Sequence, residues 1–226
     1  MEEENKQVES NHVRFSDLPW YDPNHDIIVG GVGGIGSWLS MLLGRAGYSL
    51  YLFDDDIIDE TNMAGQLYKT SSIGSNKAEV IRDSINEYSN NFSETYGRYT
   101  SESEASPIMF SCFDNMEARK TMFNNWAAQD DRSIFIDGRM IAEAMQIFAV
   151  LPGNEDKYIE TLFDDDQVQE QPCSAKATSH TGAIIGGFMM SILSNHMSNI
   201  NLDLEFREVP FKTTFEIPLL TFNTET

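Results

Sequence analysis

Ile27-Ile28-Val29-Gly30-Gly31-Val32-Gly33-Gly34-Ile35-Gly36-Ser37 reads as a short apolar strand, a glycine-rich turn and the first residues of a helix. Gly31, Gly33 and Gly36 satisfy G-x-G-x-x-G. A turn of this kind bends sharply because glycine tolerates positive φ and presents no Cβ to an approaching ligand. The helix that follows points its free N–H groups and the positive end of its dipole at whatever lies above the turn, which is a place for a phosphate. A second apolar strand, Leu50-Tyr51-Leu52-Phe53, ends on Asp54, at the interval expected for an acid that holds a ribose hydroxyl. The plain alternative for Asp54 is a turn or helix cap.

Outward from this unit, strand and helix patterns alternate. Ile35, Leu39, Leu42, Leu43 and Ala46 recur at the spacing of a buried helical face, and Gly47 suits the C-terminal stop. A second helix is predicted from about Ser75 to Tyr88, and a weak third strand over Tyr96–Thr100. Pro107–Phe113 reads as a strand delivering Asp114-Asn115, with a helix from about Met116 to Ala128. Ser133–Ile136 reads as a strand ending at Asp137-Gly138-Arg139, and Gln146–Leu151 as one more. Pro152–Ala177 has little periodicity and an acidic patch at Asp164–Asp166, so it is expected to be a long crossover loop. Ser179–Asn195 is a glycine-punctuated apolar helix, and Leu202–Phe222 alternates as short edge strands do. The pattern predicts an α/β fold that is Rossmann-like: a mostly parallel sheet with helices on both faces, plus short antiparallel C-terminal strands. Residues 1–12 are expected to be a disordered acidic tail and 13–226 a single domain.

The 226 residues carry a net charge of −21, with 36 acidic against 15 basic side chains. Such a surface repels a phosphate backbone and argues against nucleic-acid binding. The longest apolar run, Gly182–Leu193, is too short to span a bilayer, and no signal peptide is evident, so a cytoplasmic setting is expected. Cys112 and Cys173 are the only cysteines and cannot form a four-cysteine zinc site.

Three acids sit at predicted strand ends: Asp54, Asp114 and Asp137. Asp114 suits a hard cation such as magnesium, which takes carboxylate oxygens and keeps its waters. It equally suits the N-cap of the following helix. Lys77 stands near a helix start, where cations are disfavoured. A lysine aimed at phosphates explains it, and a solvent-facing lysine is the plain alternative. Cys173, in the polar stretch Gln171-Pro172-Cys173-Ser174, suits an accessible thiol. Cys112 suits a small core residue. His180 could assist Cys173 or cap its helix.

Taken together, Gly31-Val32-Gly33-Gly34-Ile35-Gly36-Ser37, Asp54-Asp55-Asp56, Thr61-Asn62-Met63-Ala64-Gly65-Gln66, Lys77, and Cys112-Phe113-Asp114-Asn115 with Arg119 resemble the ThiF/MoeB/HesA superfamily, the fold of ubiquitin-activating-type enzymes. The resemblance runs from about Ile27 to Ser198 in matching order. It implies binding of ATP and magnesium, and adenylation of the C-terminal glycine carboxylate of a ubiquitin-like or sulfur-carrier protein, or of a peptide, by a homodimer. By matching position it places Gly31, Gly33, Gly34 and Gly36 against the nucleotide and Asp54 on the ribose. Asp56, Asn62, Gln66, Lys77 and Asn115 line the same site, and Asp114 takes the magnesium. Cys173 falls where some relatives keep a reactive cysteine.

Three departures accompany the resemblance. The family's Arg-Gln is Gly65-Gln66 here, so a phosphate-binding arginine is missing. Arg139 in cis, or Arg14 across a dimer, could replace it. The paired CxxC motifs are absent, so no structural zinc is expected. No separate cysteine or rhodanese domain fits. A homologue that binds nucleotide or carrier without efficient turnover is the alternative reading. An NAD-dependent oxidoreductase ranks last, since it gives Lys77 and Asp114 no role.

Overall fold

The computed structural model describes residues 15–89, 91–141, 143–163, 178–204 and 206–226. Expectations for Arg14, Asp164–Asp166 and Cys173 lie outside them. The chain runs β1 (Asp26–Gly30), α1 (Gly36–Arg45), β2 (Ser49–Phe53), α2 (Lys77–Tyr88), β3 (Ser93–Tyr96), β4 (Ile108–Ser111) and α3 (Met116–Ala127). It continues through β5 (Ile134–Ile141), β6 (Ala144–Val150), α4 (Glu155–Ile159), α5 (Ser179–Leu202), β7 (Lys212–Glu216) and β8 (Thr221–Glu225). The strands form one eight-stranded sheet in the order β3-β2-β1-β4-β5-β6-β7-β8. From β3 to β5 the pairing is parallel, and from β5 to β8 antiparallel. The Rossmann-like reading is therefore right.

The central parallel strands β1 and β4 are buried on both sides, which is why they are nearly continuous apolar runs, whereas the edge strand β3 is polar and partly exposed. Ile27, Val29, Leu50, Leu52, Ile108 and Phe110 face one core with Leu39 and Leu43 of α1, Ile81 and Ile85 of α2, and Ile185 and Met189 of α5. Ile28, Met109 and Phe135 face the other, with Met122, Phe123 and Trp126 of α3 and Tyr158 of α4. In that second core the rings of Phe123 and Tyr158 lie 4.5 Å apart. Gly47, at φ 99°, ends α1 as expected.

Five expectations need correction. Leu42 is 38 % exposed and does not belong to the buried face of α1. The third strand is Ser93–Tyr96, earlier than the predicted Tyr96–Thr100, because Leu50–Phe53 pairs with Ser93–Tyr96. The Pro152–Ala177 stretch is not loop throughout, since α4 forms where Tyr158 finds the second core. The last helix continues past Asn195 to Leu202 and stops where Asp203 turns left-handed at φ 50°. The strand expected to end at Ile136 runs on to Ile141, because Asp137 and Arg139 neutralise each other inside it and β6 pairs along the whole of the extension.

At the opposite edge of the sheet from the glycine turn, His196 of α5 is 9 % exposed and lies 2.7 Å from Ser133 Oγ. Burial lowers its pKa to about 4, with nearby His25 adding to the shift. The unfolded chain binds this proton near pH 6.5, so stability is lost as pH falls from about 6.5 toward 4. Between pH 7 and pH 4.5, wild type is expected to lose about 2–3 kcal/mol more than His196→Leu in urea unfolding. Equal losses would remove the linkage. Among the described residues no helix is long and apolar enough to cross a membrane.

Candidate functional site

In this strand order the chain changes direction between β1 and β4, and ligands of such sheets lie in the crevice beyond the carboxyl ends of those strands. Three segments arrive there. The register sets Gly30 beside Phe53 on one side and Ser111 on the other. The glycine turn, Asp54 and Asp114 therefore leave the same edge, with Asp54 and Asp114 on either side of β1 and the flanking strands about 10 Å apart.

The turn is built by close backbone approach. Gly31 adopts φ 79° and its N–H donates to Phe53 O at 2.8 Å. A Cβ on Gly36 would stand 1.9 Å from Gly31 O, and one on Gly182 of α5 would stand 2.2 Å from Gly34 O. Helices α1 and α5 therefore both begin at the turn. Gly33 is different: a Cβ there would have Gln66 Oε1 as its nearest neighbour at 3.8 Å. A methyl at Gly33 would therefore sit in ordinary van der Waals contact with the Gln66 amide and clash with nothing.

Asp54 fixes the turn from the side. Its Oδ2 accepts from Val32 N at 2.8 Å and its Oδ1 from Asp56 N at 2.9 Å. Burial raises its pKa, opposed by those two N–H groups and by the charge of Lys77. Asn76 caps α2, accepting from Glu79 N at 3.1 Å, and its amide donates back to the carbonyls of Asp54 and Asp56. Lys77 follows as the first residue of α2, is 7 % exposed, and reaches Asp56 Oδ2 at 2.6 Å. The lysine is thus neither solvent-facing nor unpaired. A buried ammonium at a helix N-terminus is held there by an acid on the opposite loop, and Asp56, at 65 % side-chain exposure, can give way to a stronger anion.

The segment 62–68 roofs the turn. Asn62 accepts from Asp59 N at 3.0 Å in a reciprocal cap of the 3-10 turn Glu60–Ala64. Trp38 Nε1 donates to Gly65 O, Leu67 N to Ser37 Oγ, and Tyr68 OH to Val32 O at 2.5 Å. Gln66 Oε1 is buried with no hydrogen-bond partner among the described residues. An unpaired acceptor beside the glycine turn asks for a donor, which a hydroxyl or amino group of a nucleotide supplies and a phosphate does not. Trp38 and Tyr68 carried no signal in the sequence, since nothing in their spacing marks them as turn clamps. The Asn76 cap was legible as an asparagine three residues before Glu79.

Asp114 is exposed, with Asn115 Nδ2 3.4 Å from its Oδ1. The cap of α3 is Asn115, which accepts from Ala118 N at 2.8 Å, so the Asp114 carboxylate is not spent on capping. One exposed carboxylate suits magnesium, which needs few protein ligands. Among the described residues no cluster of three His, Cys, Asp or Glu side chains could hold a metal ion.

Arg139 stands inside β5 and not after its end. Its Nε donates to Asp137 Oδ2 at 2.7 Å and its terminal nitrogens to Thr161 O and Oγ1 at 2.9 and 3.0 Å, while the guanidinium lies 4.3 Å from the Phe148 ring. It is committed elsewhere, and this geometry gives no support to it as the missing phosphate arginine. Cys112, just past β4, is buried, and burial pushes its thiol well above the usual range, which makes it an inert core residue. His180 shares a hydrogen bond with Thr178 Oγ1 in the first turn of α5.

A family model described as ThiF family matches residues 23–224. The chain belongs to the ThiF family. As a ThiF-family chain it is 26 % identical over 211 residues to ubiquitin-like modifier-activating enzyme 5 of Caenorhabditis briggsae, covering 81 % of this chain and 47 % of that protein. Its counterpart in Caenorhabditis elegans is 25 % identical, with 81 % and 48 % covered. The chain spans about half the length of the curated relatives it matches. Among solved structures, PaaA superposes with a TM-score of 0.72 at 16 % identity, over 98 % of this chain and 71 % of PaaA. MccB of E. coli, crystallised with ATP, superposes with 0.69 at 15 % identity, over 92 % and 66 %. These likenesses establish the ThiF-type fold.

Proposed function

We propose that the protein is an ATP-dependent adenylyltransferase acting on the C-terminal carboxylate of a ubiquitin-like or sulfur-carrier protein, or of a peptide. The observation that carries this reading is the convergence of the glycine turn, Asp54, the buried Lys77 and the exposed Asp114 on one edge of the sheet. The family supports it, as do a relative named for activating a ubiquitin-like modifier and a structural neighbour crystallised with ATP and, separately, with MccA.

In this reading the turn holds the phosphates through backbone N–H groups and Asp54 takes the ribose. Lys77 exchanges Asp56 for a phosphate oxygen and steadies the charge that develops as the substrate carboxylate attacks the α-phosphorus. A carboxylate–phosphorus bond forms, the bridging α–β oxygen–phosphorus bond breaks, and pyrophosphate leaves. Bound magnesium supplies charge neutralisation on the phosphates, with Asp114 as its protein ligand. A homodimer in the cytoplasm is the proposed setting, and Arg14 from the partner copy is the remaining proposed source of the missing arginine charge.

ATP–pyrophosphate exchange with candidate glycine-ended carriers tests the reading. Carrier-dependent exchange supports it. ATP binding without exchange supports the alternative of a nucleotide-binding homologue with weakened turnover, which the buried Gly65 in place of arginine favours. A later thioester or acyl disulfide on Cys173 is checked by intact-mass spectrometry: Cys173→Ser is expected to keep exchange and lose the covalent carrier adduct. An adduct that survives shows that Cys173 is not the acceptor.

A further inference from the structure

Asp137 is fully buried, and two arginines share its carboxylate, Arg119 from α3 and Arg139 from its own strand, with the Tyr158 hydroxyl 3.0 Å from Oδ2. The two arginines reach in opposite directions. Arg139 continues to Thr161, just past α4. Arg119 donates through Nη1 to Asp137 and, at 3.0 Å, to Gly138 O, and through Nη2 to Phe113 O, the carbonyl of the peptide that joins Phe113 to Asp114. On the far side of Asp114, Asn115 caps the same helix that carries Arg119.

We propose that Arg119, anchored by Asp137, is a positioning residue for Asp114. The exposed carboxylate has one grip on each side, a guanidinium on the preceding carbonyl and a cap on the following residue. Both grips belong to α3, so Asp114 turns with that helix and not with the loop. A buried carboxylate beneath the guanidinium keeps it from swinging toward solvent. A lysine cannot replace it, because one ammonium does not span the Asp137 carboxylate and the Phe113 carbonyl in the fixed fork that guanidinium provides.

The inference rests on the reading of Asp114 as the magnesium-side residue. The test follows binding of a fluorescent ATP analogue to the full chain as MgCl2 is titrated, with urea unfolding in parallel. Arg119→Lys is expected to raise the magnesium midpoint about 10-fold or more. Asp137→Asn, which keeps the shape but loosens the anchor, is expected to shift it in the same direction and keeps the test open should Arg119→Lys fail to fold. Arg139→Gln destabilises the same cluster without touching Phe113 or Asp114, so its midpoint is expected to stay within about twofold of wild type. Equal shifts in all three variants mean general loosening and overturn the inference, as do unchanged midpoints in Arg119→Lys and Asp137→Asn. Wild type with no magnesium-dependent nucleotide binding fails at the earlier step and removes the reading of Asp114 together with this one.

Discussion

Lys77→Met is expected to lower ATP–pyrophosphate exchange about 100- to 1000-fold while leaving the urea midpoint close to wild type. Methionine keeps the buried stem of a side chain that is 8 % exposed and deletes only the ammonium. Its acidic neighbour, Asp56, is mostly exposed and is solvated by water once the ammonium is gone, so folding loses little. Catalysis loses much, because the loop around the site is acidic (Asp54, Asp55, Asp56, Asp59, Glu60) and a triphosphate must be held against it. Exchange within about threefold of wild type would take Lys77 out of the reaction.

The second large effect is structural. Gly36→Ala places a methyl 1.9 Å from the carbonyl oxygen of Gly31, a backbone atom that cannot step aside without opening the turn. A loss of about 3 kcal/mol or more is expected in urea unfolding, together with loss of nucleotide binding. Gly33→Ala is the paired control. Its methyl meets nothing closer than 3.8 Å, so stability is expected to stay within about 1 kcal/mol, while the added Cβ on the proposed phosphate turn is expected to weaken nucleotide binding. Similar stability losses at the two positions would contradict the geometry of the turn.

Legibility in the sequence tracked how local each signal was. The strand, glycine turn and helix of 26–45, the acid closing β2 and the helix after Asn115 are written in adjacent residues, and each is where its pattern places it. What escaped depends on partners distant in the chain. Asp137-Gly138-Arg139 reads as the end of a strand, and the antiparallel pairing with β6 and the neutralisation of one charged residue by another carry the strand through it. That arrangement also took Arg139 out of the pool of free cations. Asp114 suited the cap of α3 by residue type, and the structure gives that cap to Asn115 through a single N–H donated by Ala118. Tyr68 and Trp38 clamp the turn across more than two dozen residues, through contacts that no spacing rule contains.

The central claim is that one pocket above the carboxyl edge of the sheet binds ATP through the glycine turn and Asp54. Calorimetric titration of the full chain with ATP and magnesium, and separately with NAD, tests it most directly. ATP is expected to bind, NAD not to compete, and Asp54→Ala to weaken ATP about 10-fold or more as the proposed ribose contact and the Val32 tether are both lost. Binding of NAD in place of ATP, or ATP affinity unchanged in Asp54→Ala, would contradict it.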